Sequence, residues 1–131
     1  MRLDVTLTEL ELVQLWSKAR WHLIVSQLAP TALLGFTVWL AIEGLADATF
    51  AVRIAATGIL LASGVLGALA QFSSASEAQA IANDLRSLGP SSFVARRILA
   101  LAGWAWIVKF LTPTIFVIIF AALVTHLLLD V

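Results

Sequence analysis

The sequence predicts an all-α integral membrane protein with three transmembrane helices, its N-terminus inside and its C-terminus outside. Hydrophobic residues make up 61% of the 131 residues and charged residues 12%, against about 45–50% and about 25% in soluble domains. A water-soluble chain of this length has too little interior to bury so much apolar surface, whereas a bilayer is itself an apolar solvent. Apolar stretches at 23–46, 50–72 and 110–129 are each long enough for one crossing. We expect a single membrane domain over 1–131.

Residues 1–22 are expected to form an amphipathic helix on the cytoplasmic side, ahead of the first span. Thr8 and Glu11 have the spacing of a capping box, in which each residue bonds the backbone of the other. Leu12 and Trp16 then begin an apolar stripe with the three- and four-residue spacing of a helix face. This segment should run into the first span.

The first span contains a proline, and the second span is rich in small residues. Pro30 lies inside span 23–46 and removes a backbone hydrogen bond, so we expect a bend there. Span 50–72 is rich in small residues, whose spacing lets helix backbones approach closely in lipid. We expect these small residues to form a helix-packing face: Ala55, Gly58, Ala62, Ser63, Gly67 and Ala70.

Residues 74–109 are expected to form a cytoplasmic or interfacial helical loop between the second and third spans. Ser74 and Glu77 have the spacing of a second capping box, which favours an exposed amphipathic helix from Ser74. A continuation of the second span beyond the bilayer is the alternative for this helix. Gly89 followed by Pro90 is typical of a helix end. An unbroken, tilted helix that includes the third span is the alternative for the later part of this segment.

Orientation follows from the basic residues, which favour the cytoplasmic side in short segments. Arginine and lysine occur before the first span and between the second and third, whereas Arg53 is the exception on the other side. This distribution predicts the N-in, C-out topology, in a membrane that we expect to be a bacterial inner (cytoplasmic) membrane. The expected interface anchors at the cytoplasmic boundary are Trp16, Trp21, Trp104, Trp106 and Lys109.

Three residues near the outer turn, Glu43, Asp47 and Arg53, are candidate functional charges. An ionisable side chain at a membrane span is a functional hypothesis, but the favoured interpretation is that Arg53 reaches lipid phosphates or pairs with Asp47. No nucleophile elbow, phosphate loop or metalloprotease motif occurs, so we expect no catalytic residue and no enzyme. His22 and His126 belong to opposite ends of their spans, which disfavours a shared haem or metal. We expect no metal and no cofactor.

Part of the first span resembles the first pore-lining helix of the ExbB, TolQ and MotA proton-channel family. The segments 29–31 (Ala-Pro-Thr), 33–35 (Leu-Leu-Gly) and 37–39 (Thr-Val-Trp) carry the resemblance. The chain departs from the family at 40–41, where Leu and Ala stand in place of further glycines, and in having a third span. The resemblance implies an oligomeric ring.

The leading hypothesis is a non-catalytic integral membrane subunit, serving as an accessory, assembly or anchoring component of a membrane complex. Its partners would be the lipid bilayer and the helices of other subunits or of further copies. The zero formal net charge argues against nucleic acid.

Two alternatives belong to other functional classes. One is a homo-oligomeric ion channel, and the other is the membrane anchor of a quinone-linked respiratory enzyme. The residues expected at the pore are Thr31, Thr37 and Ser63, and those expected at the quinone are Trp21, His22 and Ser26.

Overall fold

The computed structural model describes residues 6–129, so residues 1–5 and 130–131 of the expected domain lie outside it. Within 6–129 there is no strand, and a short 3-10 helix joins the first two of three long helices. All three long helices are long and apolar enough to cross a membrane, which confirms the all-helical class with three candidate spans. The long helices are α1 (Glu9–Ile42), α2 (Phe50–Ser87) and α3 (Phe93–Leu129), and the 3-10 helix is Leu45–Asp47.

The three helices are longer than a bilayer is thick. They contain 34, 38 and 37 residues, which at about 1.5 Å per residue is roughly 50–57 Å each. A bilayer measures about 40–45 Å with its headgroups. We call the start of α1, the end of α2 and the start of α3 the proximal half, and the remainder the distal half. Among residues 6–129, every charged residue except Glu43, Asp47 and Arg53 lies in the proximal half, which suits that half to the aqueous side.

The segments expected to be amphipathic are continuous with the neighbouring spans, as the sequence predicts for the first of them. α1 continues through the expected boundary at 22–23, and α2 continues through 72–74 without a break. The predicted capping box at Ser74 and Glu77 is wrong, because Ser74 lies buried in the interior of α2. α3 is likewise one helix, as in the unbroken alternative. A helix that leaves the membrane keeps its own backbone hydrogen bonds. Only the polarity of its exposed side chains has to change between lipid and water, so the helix can continue without a break.

The helix ends follow local chemistry closely. The capping box at Thr8 and Glu11 is confirmed, with the Thr8 amide donating to the Glu11 carboxylate at 2.7 Å. The expected stop after α2 is confirmed by Gly89, whose φ of 65° is left-handed. α3 is capped by the Ser92 hydroxyl, which accepts from the Ala95 amide at 3.1 Å.

Two separate hydrophobic clusters hold the bundle together. In the proximal half, Leu12 of α1 and Leu85 of α2 are 1% and 0% exposed and pack with Ala95 and Ile98 of α3. The proximal ends of the three helices therefore bury apolar side chains against one another. The distal cluster is formed by one leucine from each helix: Leu34, Leu60 and Leu123.

The centre of α2 meets both neighbouring helices through glycine. A Cβ atom at Gly64 would overlap the Phe116 ring of α3, and one at Gly67 would overlap the Pro30 ring of α1. Pro30 lies inside α1 without ending it. The two glycines therefore permit the close approach of the three helices in the distal half.

A carboxylate on α1 ties together the proximal ends of α1 and α3. Glu9 accepts from the backbone amides of Ser91 and Ser92 at 3.2 and 3.1 Å, just before α3 begins. The Ser92 hydroxyl and these two amides lower the pKa of Glu9. Thr8, through its amide and its hydroxyl, lowers the pKa of Glu11.

Acidification is therefore expected to loosen the proximal half. Because the pKa values of Glu9 and Glu11 are lowered in the folded chain, their ionised forms stabilise it above the ordinary carboxyl range. That stabilisation is lost as the pH falls through the lowered values. Thermal unfolding in detergent should show a melting temperature that drops on acidification, and less steeply in Glu9→Gln with Glu11→Gln. An equally steep drop in the double variant would contradict this account.

Candidate functional site on the outer face of α2

The six small residues expected to form one packing face are divided between the inside and the outside of the bundle. Gly67 faces inward against Pro30, and Ser63 is half-buried. Ala55, Gly58 and Ala62 are exposed, as is Ala70. At 100° per residue, positions 55, 58 and 62 lie within a narrow arc of the helix, whereas 67 lies on the far side. The six positions therefore point in more than one direction.

Three members of this set, Ala55, Gly58 and Ala62, together with Ala51 one turn earlier, form a surface that we call the outer face of α2. All four are exposed, and a Cβ atom added at Gly58 would meet no other group within 4 Å. This face occupies the distal half, in the part of α2 that precedes Gly64. It is a smooth helical surface of small side chains directed away from the other two helices.

The three candidate charges lie near one another in the chain, but Arg53 reaches towards α3. Its guanidinium donates to the Leu127 carbonyl at 2.8 Å, which is one of the last four carbonyls of α3 and has no partner within that helix. The positive charge of Arg53 also interacts favourably with the negative, C-terminal end of the α3 helix dipole. Glu43 and Asp47 are exposed at the turn between α1 and α2. Arg53 thus has a structural contact that joins the distal ends of α2 and α3.

Replacing Arg53 by glutamine is expected to fray the end of α3. Loss of a hydrogen bond from a charged donor should cost about 1.5 kcal/mol for this half-buried side chain. Hydrogen exchange should quicken in peptides covering 120–129, whereas Arg97→Gln should leave them unchanged, because Arg97 is exposed and makes no hydrogen bond to residues 6–129. Equal exchange in the two variants would remove this role from Arg53.

The five expected interface anchors do not share one environment. Trp21, Trp104 and Trp106 are 64%, 63% and 61% exposed, as a residue in contact with lipid would be. Trp16 instead packs against the proximal cluster. Lys109 lies over the Phe72 ring, with its Nζ 3.9 Å from the ring centroid, and donates to the Ser76 hydroxyl at 3.0 Å.

Gln71 is the polar residue that the sequence analysis missed. It is 4% exposed, and its amide nitrogen donates to the Val108 carbonyl of α3 at 2.8 Å. The signal was present, because a glutamine at the end of an apolar span must find a partner. Its spacing of four from Gly67 and seven from Gly64 puts it on the same face of α2 as these two glycines.

The two histidines remain apart, both of them exposed, with His22 in the proximal half and His126 near the distal end of α3. Within residues 6–129, no group of three or more histidine, aspartate or glutamate side chains is arranged to hold a metal ion. Comparison with known proteins finds no family model, curated protein or solved structure that matches this chain.

Proposed function

We propose that the protein is a non-catalytic subunit of a membrane complex that associates with other transmembrane helices through the outer face of α2. One observation carries this proposal: four small residues on a span face away from the rest of the protein. Small side chains gain little from contact with lipid tails, whereas they allow two helix backbones to approach closely. The partner would be a helix of another subunit or of a further copy.

The proposed topology keeps the N-terminus and the proximal half in the cytoplasm. The charged side chains collect in the proximal half, and the basic residues among them follow the rule for cytoplasmic segments. The proposed location is a bacterial inner membrane, with the outer face of α2 in the leaflet distant from the cytoplasm.

Ion conduction and quinone-enzyme anchoring rank lower as overall functions. The Thr37 hydroxyl is buried and donates to the Leu33 carbonyl of its own helix at 2.8 Å, and Thr31 is exposed. Ser26 likewise donates to the Leu23 carbonyl, at 2.8 Å. These side chains therefore offer little support for a continuous polar pathway, or for a quinone site built from Trp21, His22 and Ser26.

Large side chains on the outer face are expected to abolish association. Ala55→Leu with Ala62→Leu should separate the helix backbones, because leucine cannot fit between closely approaching helices. Native mass spectrometry of the protein extracted in mild detergent should show a complex for the wild type and a lone chain for the variant.

The matched control is Ala121→Leu, an exposed alanine on α3 that lies outside the outer face. Combined with Ala122→Leu at a second exposed alanine of α3, it adds the same volume to the exposed surface as the test variant and should leave the complex intact. The mass of the wild-type complex separates a homo-oligomer from an assembly with foreign chains. Equal association of all three proteins would overturn the proposal.

A further inference from the structure

A cavity of about 250 Å³ lies among the three helices in the distal half. It is lined by residues within 26–34 of α1, 61–71 of α2 and 112–120 of α3. Along α1 this extends roughly 12 Å, at about 1.5 Å per residue. Several lining residues, among them Val65 and Ile115, are exposed, so the cavity opens sideways into the bilayer.

Hydrogen-bonding groups gather at the cavity end nearest the proximal half. Gln27, Thr31 and Thr112 line the cavity, and their side chains make no hydrogen bond to any part of the chain that the structure describes. Other threonines of the spans, such as Thr37 and Thr114, bond the carbonyl four residues earlier in their own helix, as threonine commonly does in lipid.

Gln71 accounts for the unused hydroxyl of Thr112. The carbonyl that Thr112 would bond in its own helix belongs to Val108, and the Gln71 amide occupies it at 2.8 Å. Gln71 itself lines the cavity and is 4% exposed. Its second N–H and the Thr112 hydroxyl are thus both left for a molecule inside the cavity.

The two prolines within the spans each leave one backbone carbonyl without its helical hydrogen bond near the polar end of the cavity. Pro30 and Pro113 both line the cavity, and neither has an N–H for the carbonyl four residues earlier. The carbonyl of Ser26, itself a lining residue, therefore lacks its usual helical donor, and so does that of Lys109, which lies outside the lining. Unsatisfied groups of this kind are costly in lipid, which favours an occupant able to donate as well as accept.

The rest of the lining restricts the occupant further. No residue that lines the cavity carries a charge, and the ammonium of Lys109, one turn before Pro113, is held by the Phe72 ring and the Ser76 hydroxyl. An anionic headgroup would therefore lie here without a counter-charge in the lining. Beyond Thr31 the wall becomes apolar, with Leu34, Leu61 and Phe120. A polar end followed by an apolar interior matches the order in which an amphiphile lies in one leaflet.

We propose that this cavity binds a neutral membrane amphiphile with a small oxygen-bearing head and an apolar tail. The head is held by Gln27, Gln71 and Thr112, and the tail runs along Leu61 and Phe120 towards the bilayer. Isoprenoid quinones and diacylglycerols share this chemistry. The site is independent of the association face, since none of the four outer-face residues lines it.

The test is a titration of the full-length protein in detergent, followed by native mass spectrometry, with decylubiquinone, dioctanoylglycerol and dioctanoylphosphatidylglycerol as probes. One equivalent of a neutral probe should bind, and the anionic probe should bind at least tenfold more weakly. Gln27→Leu with Thr112→Val should weaken the neutral probe about tenfold, as expected for the loss of two hydrogen bonds. Whichever neutral probe binds more tightly, the quinone or the diacylglycerol, identifies the class of amphiphile that the cavity prefers.

The matched control is Gln14→Leu with Thr114→Val, which makes the same two changes on α1 and α3 outside the cavity. It should bind as the wild type does. Ile119→Trp enlarges a lining side chain that is 38% exposed, so it should block the cavity without disturbing the buried clusters. Neutral-probe binding that is unchanged in both cavity variants, or equal affinity for the anionic probe, would overturn the proposal.

Discussion

Replacing Leu85 by alanine is expected to destabilise the proximal half by about 2–5 kcal/mol. Leu85 is fully buried, at 0% exposed, and packs in the cluster that joins all three helices outside the proposed membrane span. Truncation removes apolar contact and leaves a cavity between Leu12 and Ile98. Hydrogen exchange should quicken across 9–20 and 93–103, which face Leu85, much more than across 30–40 in the distal half.

The control for this variant is Leu10→Ala in α1. Leu10 is 66% exposed and belongs to neither cluster, so the same truncation should change exchange little. If Leu85→Ala instead quickened exchange equally throughout the chain, the two clusters would unfold as one cooperative unit. If it had no effect, the stripe of α2 would be buried by lipid or a partner rather than by α1 and α3.

The parts of the fold that depend only on residues close together in the sequence could be predicted from it. The capping box at Thr8 and Glu11 and the stop at Gly89 each require a few adjacent residues, and both occur as expected. The number of spans likewise follows from local apolarity. Ser74 and Glu77 failed because a capping-box spacing can also occur inside a helix that simply continues.

The candidate site was harder to predict, because it depends on which side of α2 meets its neighbours. Small residues occur on several faces of α2, so their spacing alone does not show that Gly67 faces inward while Gly58 faces outward. That choice depends on the positions of Pro30 and Phe116 in other helices. The cavity likewise could not be predicted, since Gln71 reaches a carbonyl 37 residues further along the chain.

Replacing Gly67 by alanine is expected to destabilise the distal half by about 1–3 kcal/mol, as overpacking does elsewhere. The new Cβ atom would overlap the Pro30 ring. That ring is fixed to the α1 backbone and cannot rotate away, so α1 and α2 would have to separate. In an open helical position, the same change should instead stabilise by about 0.5–1 kcal/mol. The sign of the effect is therefore diagnostic.

Two further variants decide whether the Pro30 contact is the cause. Gly35→Ala is the open-position control, because a Cβ atom there meets nothing within 4 Å and Gly35 lies in the same bundle half. Gly67→Ala with Pro30→Ala should recover the lost stability, since removing the ring makes room for the methyl group. The free energy of unfolding, measured by titrating dodecyl sulfate into mixed micelles, gives the coupling between the two sites. Additive effects of the two substitutions would mean that Gly67 is needed for some reason other than Pro30.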